Sequence, residues 1–166
     1  MDATRRLIVV RHAKSDWSGE LPDHERPLAP RGLEAAPRLG RWLTEQGYVP
    51  ELVFCSTARR TRETWQHLAG ELPAAPPVTY DEDLYGADVP ELLSAASRAP
   101  ADVTTIALVA HEPGVSDLTL HLAGRGEDTR AVQVKFPTGA AAVLTTSDPW
   151  DALATAKLVA FFRPRD

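Results

Sequence analysis

Three short apolar runs that each stop abruptly at chemically marked residues restrict this chain more than any other feature. Leu7-Ile8-Val9-Val10 stops at Arg11-His12, Leu52-Val53-Phe54-Cys55 at Ser56-Thr57, and the run Thr104 to Ala110 at His111-Glu112-Pro113-Gly114. Runs of this length, rich in β-branched residues and bounded by charge or turn formers, read as buried strands. Segments with helical spacing separate them. Leu33, Ala36, Leu39 and Leu43 recur at that spacing with Gly47 as the stop and Pro37 as an expected kink; Ala58 to Ala69 follows a Ser56-Thr57 cap; Asp88 caps a helix to Ala96; and Val115 to Leu122 ends at Gly124. Val78-Thr79-Tyr80 forms a short strand, and Ala140 to Thr145 and Lys157 to Phe162 are two more, joined through Asp148-Pro149. Alternating strands and helices predict an α/β protein, a mostly parallel sheet covered by helices on both faces.

Composition narrows the class. At 166 residues, with 43% hydrophobic and 25% charged residues, the chain is expected to form one domain over 1–166. One cysteine rules out an internal disulfide and a cysteine-based zinc cage, and no apolar run reaches the roughly 20 residues a bilayer needs. The polar start from Met1 to Arg6 is too short for a secretory signal, which leads to an expected cytoplasmic location without a membrane partner. A net charge of -5 speaks against nucleic acid. Within that acidic total the cations are 15 Arg and 3 Lys, a bias that genome composition explains for most positions. The question is which arginines sit at strand ends.

In sheets of this kind ligands bind outside the carboxyl ends of the strands. There the chain places Arg11 and His12, then Ser56 to Arg60, then His111. Two guanidinium forks and two helix N-termini suit a tetrahedral dianion, and a neutral imidazole beside them suits nucleophilic attack on phosphorus. Such a cluster meets the needs of phosphoryl transfer, which are positioning and positive charge, and calls for no metal or cofactor.

Leu7 to Trp17, LIVVRHAKSDW, resembles the opening signature of the histidine phosphatase superfamily, the phosphoglycerate-mutase-like proteins, in its SixA-type phosphohistidine phosphatase branch. Arg26-Pro27-Leu28 with Arg31-Gly32 is similar to the RPL…G segment of that branch, Ser56 to Thr64 to its S-x-x-x-R-x-x-x-T helix start, His111 to Gly114 to its H-x-P-G turn, and Phe136 to Gly139 to its PTG segment. Ala13 stands where the wider family has glycine, and Glu112 where relatives often carry Asn. The resemblance implies a three-layer α/β/α sandwich, with His12 as the transiently phosphorylated nucleophile and Arg11, Arg60 and His111 as the clamp on the phosphoryl oxygens. It makes Glu82, three residues before Tyr85-Gly86, the candidate general acid, with Asp81 and Asp83 as competitors. Lys14 and Ser15, beside the nucleophile, are candidate substrate contacts.

The implied partner is a protein bearing phosphohistidine or a small phosphorylated metabolite. Two other readings of the same residues are a mutase, for which the chain has little room, and a phosphate-binding module without turnover, which would not need His12. The remaining histidines, His24, His67 and His121, read as ordinary loop or helix residues. Arg59 and Arg62 read as helix-face charges paired with neighbouring glutamates, Trp42 and Trp65 as core, and Ala13 to Pro30 as a long surface loop.

Overall fold

The computed structural model describes residues 4–164. Six strands form one sheet in the order β3-β2-β4-β1-β5-β6: β1 (Arg5–Arg11), β2 (Leu52–Ser56), β3 (Val78–Asp81), β4 (Thr105–Ala110), β5 (Ala141–Thr146) and β6 (Lys157–Phe162). β1 pairs parallel with β4, β4 with β2 and β2 with β3. β5 runs antiparallel to both β1 and β6. The apolar runs supply the buried strands because every residue of β4 and the centre of β1 is covered on both faces.

Period-two alternation divides the core into two layers. Leu7 and Val9 of β1, with Ile106 and Leu108 of β4, face α3 (Val89–Ala96), α4 (Gly114–Ala123) and α5 (Arg130–Val134). Ile8 and Val10, with Ala107 and Val109, face α1 (Pro30–Gln46) and α2 (Arg59–Ala69), where Leu39, Leu43, Trp65 and Leu68 meet them. This is the expected three-layer α/β/α sandwich. Among the described residues no helix is long and apolar enough to cross a membrane.

The helix signals translate with small differences. Asp88 caps α3, its side chain accepting from Glu91 N–H while the Glu91 carboxylate accepts from Asp88 N–H. Gly47 closes α1 at φ 76°, and α1 continues through Pro37. The cap expected at Ser56-Thr57 is different: Ala58 is the N-cap and has no side-chain cap bond, while Ser56 Oγ accepts the Ala58 N–H at 3.3 Å and meets His111, and the Thr57 hydroxyl meets His24.

The segment from Ala13 to Pro30 is not simply a surface loop. Ala13, Ser15, Arg26 and Leu28 are buried, Ser15 and Leu28 form an antiparallel bridge, and Asp23–Glu25 makes a turn of 3-10 helix. Glu63 of α2 accepts the Leu28 N–H at 2.8 Å. Partners distant in sequence bury this stretch, so its polarity and prolines alone could not reveal it.

Candidate active site

His12 follows β1 directly and is 7% exposed. Its Nδ1 lies 2.8 Å from the Ala13 carbonyl, which can only accept, so the ring proton sits on Nδ1 and Nε2 keeps its lone pair. Burial, followed by the charges of His111, Arg60 and Arg11, pulls its pKa down to about 3 despite the Ala13 bond. The ring is therefore neutral at physiological pH.

His111, 6% exposed, follows β4 with its ring centroid 5.3 Å from that of His12 and the planes tilted by 53°. Its Nε2 is 2.8 Å from Ser56 Oγ, and its buried Nδ1 has no partner. Burial, then Arg60, lowers its pKa to about 4. Buried polar atoms without partners are uncommon. Three of them, His111 Nδ1, Arg60 Nε and Arg11 Nε, gather in this cluster.

The S-x-x-x-R-x-x-x-T segment now has a physical explanation. Ser56 at the end of β2 holds His111; Arg60, one turn on, is the buried fork; and Thr64, a further turn on, accepts the Ala13 N–H at 2.9 Å and donates to the Arg60 carbonyl at 2.6 Å. The end of β2 and the start of α2 thus tie both histidines' segments together. Arg11 donates to the Phe136 carbonyl at 2.9 Å, and its charge is felt at both rings. Gly139, at φ 78°, closes the site from below by donating its N–H toward the carbonyls of Arg11 and His12; only glycine adopts this left-handed backbone without strain.

The structure thus brings together Arg11, His12, Arg60 and His111. It does not bring in the acidic run. Glu82 is exposed and, among the described residues, forms no side-chain hydrogen bond; Asp83 is exposed; and Asp81 pairs with Arg98, which with the Asp83 N–H holds its carboxyl below the usual range. Lys14 is exposed on the rim of a cavity next to Arg11. Ser15 is buried in its bridge to Leu28 and does not line that cavity.

Three further residues enter from the chain between these motifs. Asp23 takes Arg60 with its carbonyl at 2.8 Å and its carboxylate at 3.1 Å. The Tyr85 hydroxyl donates to the same carboxylate, and this bond, with Arg60, holds the Asp23 pKa at about 2. Tyr85 stands edge-on to His111 at 5.6 Å and to His24 at 5.0 Å. His24, read from the sequence as an ordinary loop residue, reaches Thr57 Oγ1 at 2.9 Å and belongs to this wall. Tyr85 belongs to the Glu82 to Gly86 segment, but nothing in the local pattern marks Asp23. Glu112 turns its carboxylate to the Ser116 N–H at 2.8 Å and hydroxyl at 2.9 Å, inside the first turn of α4. Arg59 does pair with Glu63, at 3.2 Å, whereas Arg62 donates to the Thr57 carbonyl at 2.9 Å.

With six strands in this order and two histidines and two arginines at their carboxyl ends, the molecule is of the phosphoglycerate-mutase-like class. The chain belongs to the histidine phosphatase superfamily, branch 1, whose family model matches residues 7–92. A protein of uncharacterized role from Mycobacterium leprae is 41% identical over 165 residues, 94% of this chain and all of the relative. A SixA structure from Nakamurella multipartitia, assigned there as a phosphohistidine phosphatase, is 32% identical with a TM-score of 0.86 and 99% coverage of each chain. The protein histidine phosphatase SixA in complex with tungstate shares the fold at 21% identity, with a TM-score of 0.80 over 96% of this chain and 97% of that one. Within the superfamily the chain therefore falls in the SixA-type branch.

Proposed function

We propose that the protein is a metal-independent phosphatase with His12 as its nucleophile, acting on phosphohistidine in a protein or on a small phosphorylated metabolite. The observation that carries this reading is the Nδ1–H bond from buried His12 to Ala13, which leaves Nε2 unprotonated among cations. In the first step the Nε2–P bond forms while the P–O or P–N bond to the leaving group breaks, and the leaving group takes that electron pair, departing as the free base or collecting a proton from water. Water then attacks phosphorus, the Nε2–P bond breaks, and orthophosphate leaves with the imidazole restored. Arg11, Arg60 and His111 serve the three equatorial oxygens, where charge accumulates.

The carboxylate that reaches the cluster, Asp23, is ionised far below neutral pH, so it orients Arg60 and does not donate a proton. That favours leaving groups of low basicity: an imidazole, a phenolate or a second phosphate. The test is phosphate release from an aryl phosphate in excess chelator. Wild type is expected to turn over and form an acid-labile phosphoprotein, and His12→Ala to lose at least about 10³-fold in rate. Equal inertness of both, with vanadate still bound, would make the protein a phosphate-binding module; loss of wild-type activity on chelation would overturn metal independence.

A further inference from the structure

Arg11 also lines a cavity of about 330 Å³ whose lining contains neither histidine nor Arg60. Four cations line it, Arg11, Lys14, Arg31 and Lys135, with Pro137 and Thr138 of the PTG segment, and no acidic residue is among its lining. Among the described residues none of the four cations has a salt-bridge partner. Their assembly is close and enforced: a Cβ on Gly32 would stand 2.2 Å from the Lys14 carbonyl, so a glycine here lets α1 press against the strand of chain that carries Lys14.

Stability does not explain this grouping. Arg31 lies in the first turn of α1, where the helix dipole is positive, and that turn contains no acidic residue. A cation there is unfavourable, and three more beside it add like-charge repulsion. An anion seated in the cavity reverses the sign of every one of these terms. The volume is at the lower end of small-ligand sites, roughly 300–1,000 Å³, which suits one anionic group of a small molecule better than a length of peptide.

We propose that this cavity is a second anion subsite, built by Lys14, Arg31 and Lys135 with Arg11 shared, and that the substrate is a small molecule carrying two phosphate groups. One phosphate is held for attack by His12 and the other is held here. This inference rests on the phosphatase reading for the position of the first phosphate. Beyond the subsite a second cavity of about 470 Å³ shares Arg31, Ala35 and Pro164 with it and extends past Phe162, giving room for the rest of such a molecule.

Binding of non-hydrolysable probes tests the subsite without turnover, so its failure is separable from failure of the catalytic reading. Methylphosphonate is compared by calorimetry with methylene-, ethylene- and propylene-bisphosphonate. At least one bisphosphonate is expected to bind about tenfold or more tighter than methylphosphonate, and the best linker reports the separation of the two sites. Arg31→Gln/Lys135→Gln should reduce that preference to about threefold or less. The exposed pair Arg125→Gln/Arg130→Gln, which removes the same charge elsewhere, should retain it. The proposal is overturned if no bisphosphonate outbinds methylphosphonate, or if both double variants lose the preference equally.

Discussion

The protonation of two rings links the site to the stability of the protein. His12 and His111 titrate at about 3 and about 4 in the fold, against 6.5 in an open chain. Between those values and 6.5 the unfolded chain binds more protons, so stability is fully present above pH 6.5 and declines as pH falls. Urea denaturation at pH 7 and pH 5 should show the loss, and His111→Gln should about halve it, leaving the share of His12. Asp23, lowered from 3.8 to about 2, adds its own loss of stability only as pH falls through that interval, below the pH 5 to pH 7 comparison. The same low values mean that an acidic limb near pH 6 in the rate profile belongs to the substrate phosphate, whose second ionisation is at about 6.

At the level of elements, the β2–α2 junction acts as a ruler: Ser56 ends β2, Arg60 and Thr64 stand one turn apart on α2, and each meets a different partner. Thr64 is buried and its hydroxyl makes two of the bonds, so Thr64→Val keeps the shape but leaves the Ala13 N–H without an acceptor. A loss of about 1–3 kcal/mol is expected, seen as a lower urea midpoint at unchanged slope. Elements of this kind were legible where their information is local: strands as unbroken apolar runs, α3 as a helix behind an Asp88 cap, and the four site residues as abrupt strand ends. The buried turn of Asp23 and the wall of His24 and Tyr85 were not legible. Residues about 60 apart in sequence meet there through a 3-10 turn and a bridge, and no periodicity encodes such meetings. The acidic run is the converse case: its spacing fits a motif, and in the fold its Asp81 pairs with Arg98 while its Glu82 faces solvent.

Over the whole molecule, a net charge of -5 coexists with a corner where Arg11, Lys14, Arg31 and Lys135 converge without an acid between them. A protein that repels anions at long range can thus hold them at contact, because water and salt screen the distant charges far more than the near ones. The strand order has a consequence for how the chain is made. β1, nearest the N-terminus, is the centre of the sheet, and its two neighbours are β4 and β5. During synthesis at about 5–20 residues per second, β1 waits roughly 5–20 s for β4 to be made, and longer for β5. Until then its apolar run has no partner to cover it. A chain released before Thr105 should therefore be digested by limited protease, whereas the full chain resists. A strand in the middle of the finished sheet is thus the one that nascent chains must protect longest.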